Sequence, residues 1–297
     1  MPRRCDLWRV GIVHAPIETV AREGLDKQVV NWLEPGPHFT FLADPFGIRR
    51  ADATYLFAEF YDYRTRHGVI DLIRLGRDLV PIGRETVLRE PWHLSYPYVF
   101  EAEDDIWMLP EAYRSGKLTL YRASPFPIAW KPAATLLLDT PAIDPALFRH
   151  DGRWWLFYSA STDKAARLGT LHAAWADELT GEWHIHPENP IRIDRAGARP
   201  AGTPFELDGA LVLPVQDNSN TYGGGIRLLH VTLLSPTRIE MREGAMLTPP
   251  SDFSPFDEGL HTLSACGPIT LIDAKRIDRS GRGLLIDLRR MVARPHR

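Results

Sequence analysis

Apolar positions in this chain come in short paired runs. A turn-forming pair opens each unit, an apolar strand follows, a charged or glycine-bearing hinge reverses the chain, and a second apolar strand ends in a polar residue. Five stretches carry the pattern. They run from Ala43-Asp44-Pro45-Phe46 to Glu59, from Ser95-Tyr96-Pro97 to Glu111, and from Ile143-Asp144-Pro145 to Ser159. The fourth runs from Gly202-Thr203-Pro204 to Gln216-Asp217, and the fifth from His261-Thr262-Leu263 to Asp273. Anchored at Asp44, Tyr96, Asp144, Thr203 and His261, the steps are 52, 48, 59 and 58 residues. A period near 50 built from short strands predicts propeller blades. The fold class expected is therefore all-β, a five-bladed β-propeller over residues 1–297 as one domain.

Residues 6–13 read as a strand with no nearby hairpin partner, while the last unit has only three strand candidates, at 261–266, 268–275 and 283–288. The first strand is expected to complete the last blade from outside, locking the chain ends together and leaving no open edge. Residues 17–33 suggest a short helix that Gly24 weakens. The Pro-rich stretches 187–203 and 248–259 read as inter-blade loops.

Composition narrows the function. A net charge of -3 gives no clustered excess of Lys and Arg, so nucleic acid is not an expected partner. Cys5 and Cys266 fall on the outer and inner strands of the closing blade, beyond disulfide reach. Arg3 and Arg4 precede an apolar stretch broken by Arg9 and His14, so no signal peptide is expected. No apolar run approaches the ~20 residues of a membrane span. The default expectation is a cytoplasmic protein.

In each blade the innermost strand starts at one mouth of the ring and the second strand returns to it. Strand starts thus bring Asp44, Tyr96, Asp144, Thr203 and His261 together, and strand ends add Glu59, Glu111, Ser159, Gln216 and Asp217. His93, Ser95, Arg199 and Tyr222 lie just beside them. Carboxyl groups crowded in a partly dry funnel cannot all ionise at their ordinary pKa. A proton-holding acid beside an ionised base is what cleaving or transferring a glycosyl group requires. His184 and His186 beside Trp183 lack an obvious third ligand, so no metal or other cofactor is expected.

Two family resemblances follow from particular residues. Asp144-Pro145-Ala146-Leu147-Phe148, Asp151-Gly152 and Trp155-Leu156-Phe157-Tyr158 resemble the third-blade signature of family 43 glycoside hydrolases, and Ala43-Asp44-Pro45 resembles their first-blade motif. That resemblance implies Asp44 as base or nucleophile and Asp144 as the carboxylate that tunes the acid and orients substrate. Over nearly the whole chain the sequence is more similar to the N-terminal propeller domain of plant glucosamine inositolphosphorylceramide transferases and bacterial relatives. Trp8-Arg9-Val10-Gly11-Ile12, His93-Leu94-Ser95-Tyr96-Pro97, Pro110-Glu111, Leu120-Tyr121-Arg122, Gln216-Asp217 and Gly259-Leu260-His261 carry it. The hydrolases place an acidic Glu where this chain has Ala201-Gly202-Thr203-Pro204, and Glu206 lies inside a strand. The acid is then assigned to Glu111, with Glu59 second.

The leading expectation is an enzyme acting on a glycosidic bond of a saccharide or glycolipid. His93, Tyr96, Gln216, Asp217 and His261 would hold sugar hydroxyls, with Glu59, Ser159 and Arg199 beside them and Trp92 or Tyr222 offering a stacking face. The rival is a non-catalytic glycan- or glycolipid-binding propeller serving a partner glycosyltransferase.

Overall fold

The innermost strands of five antiparallel sheets are apolar along most of their length, because each is covered on both faces by neighbouring blades. The computed structural model describes residues 5–51 and 53–292, so Arg3 and Arg4 lie outside the described residues. Blade one holds Thr40–Arg49, Thr54–Asp62, His67–Leu75 and Pro81–Leu88 from the axis outward. Blade two follows with Ser95–Ala102, Asp105–Glu111, Leu118–Ala123 and Trp130–Leu136. Blade three has Ala142–His150, Arg153–Ala160 and Thr170–Ala176, with His184–Ile185 and Arg192–Ile193 both pairing to its third strand. Blade four has Phe205–Leu207, Ala210–Asp217, Gly225–Ser235 and Arg238–Leu247. Outer strands such as Pro81–Leu88 are mostly exposed, as an edge facing water should be.

The last blade closes as the sequence predicted, with one change of order. Leu260–Cys266 and Ile269–Asp278 form its inner half. Cys5–Val13 pairs directly with the second of these, from Cys5 opposite Asp278 to Val13 opposite Thr270. The N-terminal strand is therefore third in the blade and not outermost. The outer place goes to Val30–Trp32, which the expected helix over 17–33 had absorbed. That helix is only Ile17–Glu23, ended by Gly24 at a φ of 77°. The third strand expected at 283–288 is instead part of a helix, Arg282–Val292. Leu284-Leu285-Ile286 is a run that suits either state, and the edge it would have paired with is already filled. Cys5 lies across from Asp278 and Cys266 from Ile269, nine residues apart along one strand and roughly 30 Å by strand rise. The two are not joined to each other by a disulfide.

The turn-forming pairs turn out to be bulges. Register slips between Ala43 and Phe46, Ser95 and Tyr98, and Ile143 and Ala146 leave two residues unopposed in each blade. Asp44, Tyr96 and Asp144 sit at these points with φ of 51°, 45° and 48°. The left-handed conformation costs a non-glycine residue about 1–2 kcal/mol. It re-aims three side chains toward the axis, which bulges commonly do. Tyr96 departs from its expected role. Fully buried, its hydroxyl accepts from the Gly202 amide at 2.6 Å and donates to the Gly202 carbonyl at 3.2 Å. It ties blade two to blade four and offers nothing to a ligand.

Gly202 is where blades four and five touch. The Thr203 amide donates to the Leu263 carbonyl at 3.0 Å, and the Leu263 amide to Ala201 at 2.8 Å. A Cβ on residue 202 would stand 2.0 Å from the Leu263 carbonyl oxygen, at a φ of 129°. The backbone of Ala201-Gly202-Thr203 is thus occupied in stitching the ring. Gly202→Ala should lower unfolding free energy by more than about 3 kcal/mol in urea titration. A loss under about 1 kcal/mol would show that this contact does not hold the ring.

Candidate functional site

At the mouth of the ring a cup of about 440 Å³ is lined by Asp44, Glu59, Ser95, Glu111, Arg199 and His261 below, with aromatic side chains around them. Asp44 comes from the first strand of blade one, and Glu59 and Glu111 from the second strands of blades one and two.

Asp273, fully buried midway along the second strand of blade five, anchors one half of the floor. Its oxygens accept the backbone amides of Asp44, His261 and Thr262 at 2.9, 3.2 and 3.0 Å, and His261 Nδ1 lies 2.8 Å away. His261 Nε2 stands 3.6 Å from Asp44 Oδ1, which also accepts the Thr262 hydroxyl at 3.1 Å. The other Asp44 oxygen accepts the Tyr96 amide at 3.1 Å. Burial pushes the Asp44 carboxyl up to about 6, against the pull of His261. Burial works the other way on His261, but Asp273 and Asp44 outweigh it and hold the imidazole above its ordinary value. Trp8 stacks flat on the His261 ring, with centroids 3.7 Å apart.

The other half is built on Arg199. Its guanidinium forks onto Asp144, Nε to Oδ2 at 2.6 Å and Nη2 to Oδ1 at 3.2 Å. Gln216 donates to Asp144 Oδ2 at 2.7 Å. Asp144 is thus buried beneath the arginine and does not line the cup. Glu111 does, with an oxygen 3.9 Å from Arg199 Nη2. Burial and then Asp144 raise its pKa well above that of an ordinary glutamate.

Glu59 is also raised well above its usual range, first by burial and then by Asp44 and Glu111. Beside it, His93 accepts the Gly68 amide at Nδ1, 2.9 Å away, and its Nε2 lies 3.5 Å from Glu59 Oε1. Burial, then Arg114 and His67, push His93 down to about 4, so the neutral ring points an Nε2 proton at Glu59. Gly68 permits this approach. A Cβ there would meet the Leu94 carbonyl at 2.4 Å and Glu59 at 2.8 Å.

Of the residues singled out from sequence, Asp44, Glu59, His93, Ser95, Glu111, Arg199, Tyr222 and His261 share the cup. Tyr96, Asp144 and Gln216 lie behind it. Ser159 is fully buried and donates to the Thr170 carbonyl at 2.6 Å. Asp217 turns away to accept the Ser219 amide and hydroxyl at 2.8 and 2.6 Å. Trp92 packs against the blade core instead of the cup. His184 and His186 are no pair: one lies on Trp175, the other faces the Ser235 carbonyl.

Several lining groups escaped the sequence reading. Tyr61 and Tyr63 alternate with Glu59 on one strand face, so period-two spacing marks them. Asp273, midway along Ile269–Asp278, lies buried behind the cup. Trp8 reaches the cup only through the pairing that sets it opposite Lys275, and no local signal reveals that.

Asp44, His261 and Asp273 bring ligand-type atoms within 4.8 Å of one another. Those atoms already face one another, and two backbone amides point at the same Asp273 oxygen that His261 approaches. Amide dipoles aimed at a carboxylate favour a hydrogen-bonded relay over a cation site.

The shift at Asp44 has a definite sign. Its folded pKa lies above the unfolded value, so stability is present below pH about 4 and lost as pH rises through about 6. Asp44→Asn removes that loss. Wild type should therefore lose up to roughly 3 kcal/mol relative to the variant between pH about 4 and 7, read by urea unfolding at each pH. A gain over the same range would contradict the burial.

A five-bladed ring with carboxylates at its mouth defines a class of fold. Similar solved structures include a thermostable family-43 glycoside hydrolase, with a TM-score of 0.56 at 15% identity over 76% of this chain and 85% of that one. A family 117 glycoside hydrolase from Zobellia galactanivorans gives 0.56 at 14% identity, covering 84% and 90%. At such identities the likeness is one of fold. Sequence kinship is narrower: residues 30–247 match the family described as glucosamine inositolphosphorylceramide transferase 1, N-terminal, and the chain belongs to that family. The transferase 1 of Oryza sativa subsp. indica is 38% identical over 214 residues, 71% of this chain and 28% of its own length. That of Arabidopsis thaliana is 37% identical over 201 residues, 66% and 26%. The chain spans about a quarter of these relatives.

Proposed function

We propose that the cup binds a saccharide and that the chain cleaves or transfers a glycosyl group there. The observation that carries this is that Glu111, raised well above its ordinary pKa, shares one small cup with Asp44, whose carboxyl is pushed up to about 6. Glu111 donates its proton to the departing glycosidic oxygen. Asp44 acts as base toward water or an acceptor hydroxyl, or as nucleophile at the anomeric carbon, the choice depending on the carboxyl separation. Burial, and then Asp144 clamped by Arg199, favours the protonated form of Glu111. Glu59, His93, His261 and Tyr222 present hydrogen-bonding atoms to sugar hydroxyls. Phe41, stacked on Tyr61 at a centroid distance of 5.0 Å, lines the same wall and offers an apolar surface to a sugar face.

A second reading is favoured by the family match, which falls on the N-terminal part of a longer transferase. On that reading the propeller holds a glycan or glycolipid for a glycosyltransferase, without turnover of its own.

A screen of glycans and aryl glycosides against wild type, Asp44→Asn and Glu111→Gln separates the two. The enzymatic reading expects turnover to fall more than about 100-fold in both variants, with ligand binding kept within several-fold. In wild type, kcat/KM should rise as pH increases through about 6, as Asp44 ionises, and fall once Glu111 loses its proton. Binding without turnover in wild type supports the binding module. No binding at all overturns both.

A further inference from the structure

A second, smaller cavity of about 230 Å³ lies beside the cup, and Trp8 and Tyr63 line both. The partition between the two is therefore one side chain thick at these rings. It is also held in place. Trp8 is stacked on His261, while the Tyr63 hydroxyl donates to the Asp6 carbonyl at 2.7 Å and the Tyr63 amide to the Phe39 carbonyl at 2.9 Å. On its own this cavity is smaller than the about 300–1,000 Å³ usual for small-molecule sites, so it serves as an annex of the cup.

One wall of the annex is the loop that enters blade one. Pro35, Pro37 and Phe39 line it, joined by Phe256 from the loop before blade five. Phe39 is held at a φ of 71°, a left-handed conformation unfavourable for a bulky side chain. The loop around it is tight. Thr40 donates to the Pro37 carbonyl through its amide at 3.0 Å and its hydroxyl at 2.7 Å, and a Cβ on Gly36 would stand 2.5 Å from that hydroxyl. Glycine or asparagine would take this conformation with less strain. The chain instead keeps an aromatic ring there, only partly covered and lining a cavity. Strained backbone of this kind gathers at binding positions.

We propose that the annex is a second sugar subsite, and that the ligand of the cup is at least a disaccharide whose neighbouring ring stacks on Phe39. The inference rests on the saccharide reading above and specifies the length of its ligand. Aromatic and proline rings suit the C–H face of a sugar ring, and polar groups suit its hydroxyl edge. The annex offers both, because Arg276, its guanidinium 5.5 Å from the Phe256 ring centroid, and Asp278 line it beside the rings. A bare hydrocarbon chain would leave those two charged groups facing apolar matter without compensation. Ring surfaces also lead there from the acidic floor. Phe41 and Tyr61, both in the cup, meet the Tyr63 ring edge-on at centroid distances of 5.8 and 5.0 Å.

Calorimetric titration of the full chain carrying Glu111→Gln, so that no probe is turned over, tests this. The probes are the methyl glycosides of glucose, galactose, mannose and N-acetylglucosamine, set against cellobiose, maltose, lactose, mannobiose and chitobiose. At least one disaccharide should bind about 10-fold or more tightly than the methyl glycosides of its own sugars. Phe39→Asn should cut that ratio to about 2-fold and Phe39→Tyr should keep it, with methyl glycoside affinity unchanged within about 2-fold. Arg276→Gln should lie between. Asparagine accepts the left-handed conformation, so the melting temperature of Phe39→Asn should hold or rise, which separates lost stacking from lost folding. Methyl glycosides bound as tightly as every disaccharide, or a preference kept in both Phe39→Asn and Arg276→Gln, overturns the annex and leaves the saccharide reading of the cup intact. No binding by any probe removes that reading and the annex with it.

Discussion

Five carboxyl groups, Asp44, Glu59, Glu111, Asp144 and Asp273, are buried at one end of the ring axis against one guanidinium and one fully buried imidazole. Charge balance in such a place is unforgiving, since an unpaired ionised carboxylate in a dry interior is far costlier than a neutral one. The structure meets the excess in two ways. Asp144 and Asp273 take the Arg199 and His261 partners, while burial first, and then neighbouring carboxylates, raise Glu59 and Glu111 well above their ordinary pKa. Asp44 stands between the two groups. The chemistry proposed for the cup draws on that imbalance, because the crowding that favours the protonated form of Glu111 also sets it in one cup with Asp44.

The same carboxylates hold the ring together. Asp273 on blade five accepts the Asp44 amide of blade one, and Asp44 accepts the Tyr96 amide of blade two. Asp144 on blade three is bonded by Arg199 and Gln216, which lead into and belong to blade four. Tyr96 reaches across to Gly202, and Gly202 lies against Leu263. Structural and chemical roles are therefore merged at the axis. Left-handed conformations at Asp44, Tyr96 and Asp144 fit this arrangement, since strained backbone persists where the surroundings over-determine it. Lys275 adds a further tie, donating from beneath Trp8 to the Tyr222 carbonyl and so fixing the loop that carries Tyr222 to the cup.

Much of this was legible in the chain. The turn-strand-hinge-strand pattern gave five blades because strand length and period are local properties. Reading strand starts and ends as one mouth assembled Asp44, Glu59, Glu111 and His261 without any coordinates. Errors arose where pairing decided the outcome. Leu284-Leu285-Ile286 became helix because Cys5–Val13 already filled the adjoining edge. Val30–Trp32 became a strand because that same edge was open beyond it.

What the sequence determined by itself is the blade count, the closing role of the first strand and the convergence of acidic residues on one axis. Those depend on periodicity and on chain direction, which the order of residues carries. Only the tertiary structure decided which residues face the cup and which lie behind it. Tyr96 plugs the ring, Asp144 is roofed by Arg199, and Ser159 and Asp217 turn to backbone and loop. Such outcomes depend on a one-residue bulge or a partner more than 50 positions away, as with Asp144 and Arg199 at a separation of 55. Protonation followed the same rule: a carboxyl group's pKa is set by burial and neighbours across blades, and neither is a property of its own segment.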